Sequence, residues 1–485
     1  MLEPGRTCWR TEPAQRVAFL IDTQAYFSAV GQALSRARRS ILLLGWGFDP
    51  RTRLSPDGFE GPDDPDEIGR ALIALSAERP ELDIRVLIWR SALPVAASQE
   101  FFPHRARKWF KNTRVQFRLD DAVPFGACHH QKVLVIDDRL AFCGGGDFST
   151  DRWDSPAHLD DDSRRLDPNH AHHAPRHEVM MMVDGAAARA AGDLVRERWR
   201  RALGETLTAP APTAPADDPW PPGVRPDLTE ACVAIARTQP AWRGQPAVQE
   251  WRELALECIA SVRRTLYMEN QYFTSPVIAE ALARRLGEPD GPQIMLVSTE
   301  HSPSYFDQLT MDRTRSLVLR RLKAADVFGR FRAYSPKTVA GRPIIVHAKV
   351  TIVDDQLARI GSCNLNNRSG GFDTECEFAV AARDAAQSAA ILRLRDHLVG
   401  HFIGRSAADV AAAISRHDGL IGAVEALRHG PRLTPLEAKP LGPIAGFIAD
   451  YHLGDPLAVT DSWRILRRRR RLREQVHAAA MGEGA

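Results

Sequence analysis

The chain lacks several features that would assign it to common protein classes. No stretch approaches 18 consecutive apolar residues, so we expect no transmembrane helix. The first residues, MLEPGR, lack the apolar segment of a signal peptide, so none is expected. The seven cysteines among 485 residues are scattered without metal-like spacing, which favours free thiols in a reducing compartment. We therefore expect a cytoplasmic protein, or one held peripherally on the cytoplasmic face of a membrane.

The chain also lacks a large excess of either positive or negative charge. The 64 basic and 61 acidic residues leave a net charge of +3, which is too small to predict nucleic-acid binding. Lysine is scarce, with 7 against 57 arginines. Two of the seven lysines occupy the repeated pattern described next, which indicates that a compact point charge is needed there.

A repeated pattern, H-x-K-x4-D, is the main chemical signal of the sequence. Its second copy lies 217 residues after the first at every position. Each copy runs into a β-branched apolar segment, 133–136 or 350–353, which predicts a buried strand. Side chains alternate along a strand, so the histidine and lysine of each copy share one face. The two sets are His130, Lys132, Asp137 and His347, Lys349, Asp354.

Both predicted strands are followed at the same spacing by a glycine turn. The first reads Gly144-Gly145-x-Asp147 and the second reads Gly361-Ser362-x-Asn364. Glycine at these places allows a ligand or another backbone to approach closely. Helix and strand patterns upstream of the two copies also match, so the sequence predicts an internal duplication.

These residues resemble the phospholipase D superfamily, whose active site is built from two H-x-K-x4-D motifs. Arg152-Trp153-Asp154, residues 269–273 (ENQYF) and residues 361–375 resemble the phospholipid-acting branch. The resemblance implies catalysis through a covalent phosphohistidine. No cofactor and no bound metal are expected, and phospholipid is the expected partner rather than nucleic acid.

The resemblance also implies residue roles. His130 is assigned as the nucleophile and His347 as the general acid and base. Lys132 and Lys349 would bind the phosphate oxygens with help from Asn364, beside Gly361 and Ser362. An orienting acid is expected after each motif, Glu178 in the first and Glu375 in the second.

The remaining acidic residues receive weaker assignments. Asp147 takes the place of Asn364, and an anion there would not bind phosphate, so we expect it to act through its neighbours. Asp137 and Asp354 complete the catalytic motifs. Their spacing puts them off the histidine face, and we expect them to fix strand ends rather than touch substrate.

The predicted fold is α/β, with two similar lobes around a joint active site. Alternating strands and helices predict a mainly parallel sheet covered by helices in each lobe. Residues 155–177 are polar and are interpreted as a solvated loop, and His170, His172 and His173 within it are not expected to hold a metal. The proposed divisions are a first lobe at 1–204, a proline-rich linker at 205–226, a second lobe at 227–425 and a C-terminal extension at 426–485.

Three alternatives remain open at this stage. The chain could be a phospholipase D-like hydrolase, a cardiolipin synthase-like transferase or, less in keeping with its charge, a nucleic-acid-processing protein. The five arginines at 467–471 could contact anionic lipid or form a solvated or disordered tail. Head-group preference, acceptor and oligomeric state are not predicted.

Overall fold

A continuous mixed sheet of 16 strands forms the centre of the computed structural model, which describes residues 1–56, 66–91 and 103–481. A separate pair of strands, Arg176–His177 and Ile345–Val346, makes a second small sheet. In chain order the strands are β1 (Arg10–Ile21), β2 (Ser40–Gly45), β3 (Asp83–Trp89), β4 (Gln116–Asp120), β5 (Val133–Ile136), β6 (Leu140–Gly144), β7 (Arg176–His177), β8 (Val179–Asp184), β9 (Leu228–Gln239), β10 (Val248–Gln249), β11 (Thr265–Glu269), β12 (Gln293–Val297), β13 (Phe331–Pro336), β14 (Ile345–Val346), β15 (Val350–Val353), β16 (Leu357–Gly361), β17 (Glu375–Ala381) and β18 (Leu433–Pro435).

Helices cover both faces of this sheet. A short helix, Tyr305–Asp307, and a π-helical turn, Gln308–Asp312, lead into the helix Arg313–Ala325, and a 3-10 turn spans Val459–Asp461. The α-helices are α1 (Asp22–Leu34), α2 (Ile68–Glu78), α3 (Pro103–Trp109), α4 (Gly185–Leu203), α5 (Glu250–Ser261), α6 (Pro276–Leu286), α7 (Arg313–Ala325), α8 (Asn367–Gly371), α9 (Ala385–Ile403), α10 (Ala407–Arg416), α11 (Gly419–Leu427), α12 (Pro443–Asp450) and α13 (Ile465–Met481). Within these described residues, no helix has the length and apolar content that crossing a membrane requires.

The strands on the two sides of the central β1–β9 pair follow the same order, counted outward from that pair. One side runs β1, β8, β6, β5, β2, β3, β4, and the other runs β9, β17, β16, β15, β11, β12, β13, with β18 added at that edge. The corresponding strands include the two motif strands, β5 and β15. The two halves thus have the same strand order and form one sheet, while the duplication itself stays a prediction.

The predicted α/β class is confirmed, but the expectation of a mainly parallel sheet is wrong. Parallel pairing within the large sheet is confined to β2–β3–β4 and β11–β12–β13. The strands between these sets pair antiparallel, because β5–β6 and β15–β16 are hairpins closed by tight turns. Tight turns join antiparallel neighbours, whereas a parallel pair needs a long crossover.

The central strands are buried on both faces, and this explains their apolar runs. β2, β5, β6, β8, β15 and β16 have every residue buried. One apolar cluster, including Val17, Met181, Ile235 and Phe378, continues from one half into the other. The two halves therefore share a core.

The regions outside the two halves differ from one another. Residues 204–227, all of them described, contain neither helix nor strand, although Trp220 is buried. The arginine run forms part of α13 and is not a disordered tail. Arg468 is 1% exposed and donates to backbone carbonyls of residues 452 and 461, while Arg469 pairs with Asp450.

Candidate functional site

The histidine end of each motif lies at the carboxyl ends of the parallel strands. β5 runs antiparallel to β2, so Val133 pairs with Leu44 near the end of β2. In the other half, Val350 pairs with Glu269 at the end of β11. His130 and His347 precede these strands and therefore reach the same edge, where open α/β sheets commonly bind ligands.

Backbone hydrogen bonds join each motif to the opposite half of the chain. The His130 N–H donates to the carbonyl of Thr374 at 3.0 Å, and the His347 N–H donates to the carbonyl of His177 at 2.9 Å. Thr374 and His177 are the residues immediately before the two candidate acids. Each motif histidine is thus held beside the acid that follows the other motif.

The side-chain pairing crosses between the halves in the same way. His130 Nδ1 lies 2.8 Å from Glu375 Oε2, and His347 Nδ1 lies 2.6 Å from Glu178 Oε2. Sequence order places Glu178 after His130 and Glu375 after His347, so the acid that follows a motif does not contact the histidine of that motif. Neither half therefore contains both a motif histidine and the carboxylate that pairs with it.

Burial dominates the electrostatics of these pairs. It lowers the pKa of both His130 and His347 well below the usual histidine range, with the nearby lysines adding to the effect. It also raises the pKa of Glu178, and that of Glu375 to about 7. A low imidazole pKa keeps the second ring nitrogen unprotonated and available as a nucleophile or base.

The two motif lysines are buried beside their histidines. Lys132 Nζ lies 3.1 Å from the carbonyl oxygen of His130 and 3.4 Å from Asp147 Oδ2. Lys349 Nζ donates to the carbonyl oxygen of His347. Burial lowers the pKa of Lys349 to about 7, with the charge of Lys132 adding to this effect and Glu178 opposing it.

The glycine-turn residues have distinct surroundings. Asp147 Oδ1 accepts from the backbone N–H of Trp46 at 2.9 Å, whereas the side-chain oxygen of Asn364 is buried without a hydrogen-bond partner. Ser362 Oγ donates to Glu375, as does Ser369 Oγ at 2.6 Å.

Glycine is required in both turns because backbone from elsewhere approaches closely. A Cβ added to Gly361 would lie 2.5 Å from the carbonyl oxygen of Cys376 in the adjacent strand. A Cβ on Gly145 would lie 2.8 Å from the carbonyl oxygen of His347. The close approach of another backbone therefore accounts for both glycines. For Gly145 that backbone belongs to the other motif.

Asp137 and Asp354 lie at the opposite edge of the sheet from the histidines. Asp137 accepts from the N–H groups of residues 38, 39 and 40, at 2.6–2.8 Å. Asp354 accepts from those of residues 263, 264 and 265, at 2.7–2.9 Å. Because β5 and β15 run away from the site, their last residues reach the start of the neighbouring strand. These contacts do not place either aspartate among the catalytic groups.

The polar segment before Glu178 is only partly solvated. His170 and His172 are exposed, as expected for a solvated loop, and His173 is half-buried. His158 and Arg165 of the same segment are 5% and 2% exposed, so the expectation of a solvated loop fails for them. They are buried because Asp154 contacts both, at 2.8 Å and 3.2 Å.

Sequence reasoning did not identify several residues that support the site. His177 bridges two buried carboxylates, with Nδ1 2.8 Å from Asp22 and Nε2 2.9 Å from Glu269. Thr374 and Ser369 support His130 and Glu375, as described above. Ser369 and Thr374 lie in the segment 361–375 that resembles the phospholipid-acting branch, but they received no role, and the only sequence signal for His177 was its place before Glu178.

Comparison with known proteins places this geometry in context. A family profile described as cardiolipin synthase, PLD-like domain, matches residues 255–393. Phospholipase D A of Dictyostelium discoideum is 22% identical over 76% of this chain and 33% of its own length. Phospholipase D2 of Bos taurus is 22% identical over 80% of this chain and 52% of its own length.

Bacterial relatives are closer in size. Cardiolipin synthase A of Pseudomonas putida strain W619 is 25% identical over 76% of this chain and 66% of its own length. The crystal structure of phosphatidylserine synthase from Haemophilus influenzae Rd KW20 superposes with a TM-score of 0.53 at 14% identity, covering 80% of this chain and 88% of that one. The chain spans about a third of the length of the first phospholipase and about half of the second.

Proposed function

We propose that this chain is a phosphodiesterase of the phospholipase D superfamily that hydrolyses or transphosphatidylates phospholipids. The observation that carries the proposal is the crossed pairing of His130 with Glu375 and of His347 with Glu178. It supplies two oriented imidazoles at one site, together with two buried lysines. These are the groups that phosphodiester transfer through a covalent intermediate requires.

In the first step, His130 Nε2 attacks phosphorus and the bond from phosphorus to the head-group oxygen breaks. His347, whose protonated form the anionic phosphodiester stabilises, donates its Nε2 proton to that departing oxygen, so the alcohol leaves neutral. Lys132 and Lys349 offset the charge on the non-bridging oxygens. Glu375 accepts a hydrogen bond from Nδ1–H of His130. This holds the proton on Nδ1 and directs the lone pair of Nε2 to the substrate.

In the second step, the neutral His347 accepts a proton from water or an alcohol. The oxygen thus activated attacks phosphorus, and the bond between phosphorus and His130 Nε2 breaks. Glu178 stabilises the imidazolium that forms on His347. The product is phosphatidate when the acceptor is water and a new phosphodiester when it is an alcohol.

A cardiolipin synthase-like phosphatidyltransferase is the second candidate. Supporting it are the family profile over residues 255–393 and the similarity to the Pseudomonas putida protein. The chemistry at the two histidines is the same in both cases. Only the acceptor differs, being another lipid hydroxyl rather than water or a small alcohol.

One assay separates these functions. Purified protein is incubated with vesicles of mixed phosphatidylcholine, phosphatidylethanolamine and phosphatidylglycerol, with and without a primary alcohol, and the products are resolved by mass spectrometry. Phosphatidate and the phosphatidyl alcohol are expected from a phospholipase D, and cardiolipin from a synthase. Absence of all three, with cleavage of a nucleic-acid control, would contradict a lipid substrate.

A peripheral contact with the membrane is part of the proposal. Phe125 and Trp463 are 76% and 73% exposed, and their ring centroids lie 5.4 Å apart. Phe125 is five residues before His130, and the carbonyl next to it, on Gly126, accepts from Arg368. Exposed aromatic rings beside a lipid-processing site are suited to the interface of a bilayer.

Replacing this aromatic pair tests the contact. Phe125→Ser with Trp463→Ser should weaken binding to phospholipid vesicles about tenfold, because two exposed rings no longer enter the interface. Turnover of a short-chain soluble phosphodiester should stay unchanged. Phe328→Ser is the matched control. Phe328 is 50% exposed, but it precedes the amino end of β13, whereas the site lies at the carboxyl ends of the parallel strands. Equal vesicle binding by the double variant and the control would contradict the proposed surface.

A further inference from the structure

A buried cluster of histidines and a carboxylate lies behind the active site and takes no part in the mechanism above. Asp22, His158, His177 and His401 each offer one ligand atom, and these atoms lie within 4.8 Å of one another. Asp22 is 0% exposed, His158 is 5% exposed, and the side chain of His401 is 4% exposed. Such a concentration of imidazoles in a protein core requires a physical reason.

Three of the four residues converge on a common point. His158 Nε2 and His401 Nε2 face each other at 2.9 Å. They lie 3.6 Å and 3.4 Å from Asp22 Oδ2. Ligand atoms that are about 2.0–2.1 Å from a tetrahedral zinc ion lie about 3.3 Å from one another. The triangle has the size of three zinc ligands.

The oxygen that faces the two imidazoles lacks a hydrogen bond. Asp22 Oδ2 is buried and has no hydrogen-bond partner, whereas Oδ1 of the same carboxylate accepts from His177 and from the Glu178 N–H. Burial of an unpaired carboxylate oxygen is costly unless another group satisfies it. A cation between Oδ2 and the two Nε2 atoms would satisfy it.

The surrounding contacts orient these atoms as in established metal sites. His158 Nδ1 lies 2.8 Å from Asp154 Oδ2, which leaves Nε2 directed at the centre of the cluster. A carboxylate on the far nitrogen commonly fixes the tautomer of a metal-binding histidine. His177 is different, because Asp22 and Glu269 occupy both of its nitrogens, so we do not count it among the ligands.

We propose that Asp22 Oδ2, His158 Nε2 and His401 Nε2 bind a divalent transition-metal ion, with zinc as the expected ion. Two imidazoles and one carboxylate suit zinc, whereas calcium and magnesium prefer sites made only of oxygen. A water molecule would complete the tetrahedron. The proposal departs from the expectation of a metal-free protein that was drawn from the sequence.

The ion would have a structural role that supports the active site. Asp22 and His158 belong to the first half, and His401 belongs to α9 in the second half, so the ion would connect the halves. The N–H of Asp22 also donates to the carbonyl of Glu178 at 2.7 Å. The ion would thereby hold in place the acid that orients His347, without contacting the phosphate.

Metal analysis of the intact chain tests this site directly. The untagged protein is expressed in zinc-supplemented medium, dialysed, and analysed by inductively coupled plasma mass spectrometry. About one zinc per chain is expected for the wild type, falling to under about a tenth in His158→Ala and His401→Ala. His170→Ala and His172→Ala are the matched controls from the same segment and should keep the metal.

A second measurement covers variants that fail to fold. Growth with cobalt in place of zinc should give wild-type protein with the visible absorption of tetrahedral cobalt. His401→Cys should shift that absorption by adding thiolate-to-cobalt charge transfer. Wild-type protein that holds neither zinc nor cobalt would overturn the proposal and assign the cluster to a proton shared between the two imidazoles. Equal metal content in His158→Ala, His401→Ala and the controls would also overturn it.

Discussion

The two halves of the site carry the same motif but differ in the groups around it. In the first half, the carboxylate of Asp147 lies 3.4 Å from the Lys132 ammonium. In the second half, the corresponding residue is Asn364, and burial with the charge of Lys132 lowers the pKa of Lys349 to about 7. Identical motifs therefore provide one lysine with a carboxylate partner and one whose charge is easily lost.

The acids that orient the histidines differ in the same manner. Glu375, which pairs with His130, accepts from the hydroxyls of Ser362 and Ser369. Glu178, which pairs with His347, accepts from the backbone N–H of Val179 at 3.3 Å. The His130 side chain is also the more exposed, at 15% against 9%. The assignment of His130 as the nucleophile stays a prediction.

The largest expected effect comes from removing either histidine. His130→Ala and His347→Ala should each lose at least about 10⁴-fold in kcat/KM on phospholipid, because the groups act as one unit. With a nitrophenyl phosphodiester, whose leaving group needs no acid, His347→Ala should still form the covalent intermediate, whereas His130→Ala should not.

The covalent label distinguishes the two histidines. Acid-labile, base-stable phosphoryl label should map to the peptide that contains His130. Label on the peptide of His347 would reverse the two roles and leave the joint site intact. About half of the activity remaining in either variant would contradict the joint site.

Replacing the acids tests the crossed pairing. Glu375→Gln and Glu178→Gln should each lower kcat/KM about 10–100-fold, because a neutral amide no longer orients the imidazole. In ¹⁵N NMR spectra of the histidine rings, Glu375→Gln should shift the signals of His130 and leave those of His347 unchanged. Glu178→Gln should do the opposite, and any other pattern would contradict the pairing.

The pH dependence should separate the two halves further. With pKa values of about 7 for both Glu375 and Lys349, kcat/KM should peak near pH 7. It should fall at lower pH as Glu375 gains a proton and ceases to orient His130. At higher pH, kcat/KM should fall by about tenfold per pH unit, because Lys349 loses the positive charge that binds phosphate.

Arginine variants identify the basic limb of this profile. Lys349→Arg should abolish the fall at high pH, since guanidinium keeps its charge. Lys132→Arg is the matched control and should retain the fall. Retention of the high-pH fall in Lys349→Arg would assign it to another group.

Replacing the motif aspartates should have the smallest effect on kcat/KM, and the effect should be the same in both halves. Asp137→Ala and Asp354→Ala each leave three backbone N–H groups without their acceptor. We expect each to lower the free energy of unfolding by about 1–3 kcal/mol, measured by urea denaturation. The kcat/KM of the folded fraction should stay within a few-fold of wild type. A loss comparable to that of the histidine variants would return these aspartates to the catalytic set.

Periodic patterns in the sequence predicted the strands of the site well. The apolar segments within the two motifs, 133–136 and 350–353, form β5 and β15. The direction of pairing was predicted less well, because apolar runs buried on both faces look alike in parallel and antiparallel strands. The sheet was therefore expected to be mainly parallel, and it is mixed.

The sequence by itself determined which residues could carry the chemistry. Spacing of two along a strand puts His130 with Lys132 and His347 with Lys349, and spacing of seven puts each aspartate beyond the far end of a four-residue strand. These are local relations, fixed by the alternation and rise of the backbone.

Only the tertiary structure decided which partners those residues meet. Glu375 reaches His130, and Glu178 reaches His347, because the backbone at 374 and 177 pairs with the motif of the other half. Asp22, His158 and His401 converge for the same reason, although hundreds of residues separate the first from the last. Sequence spacing carries no information about contacts that arise when two halves share one sheet and one core.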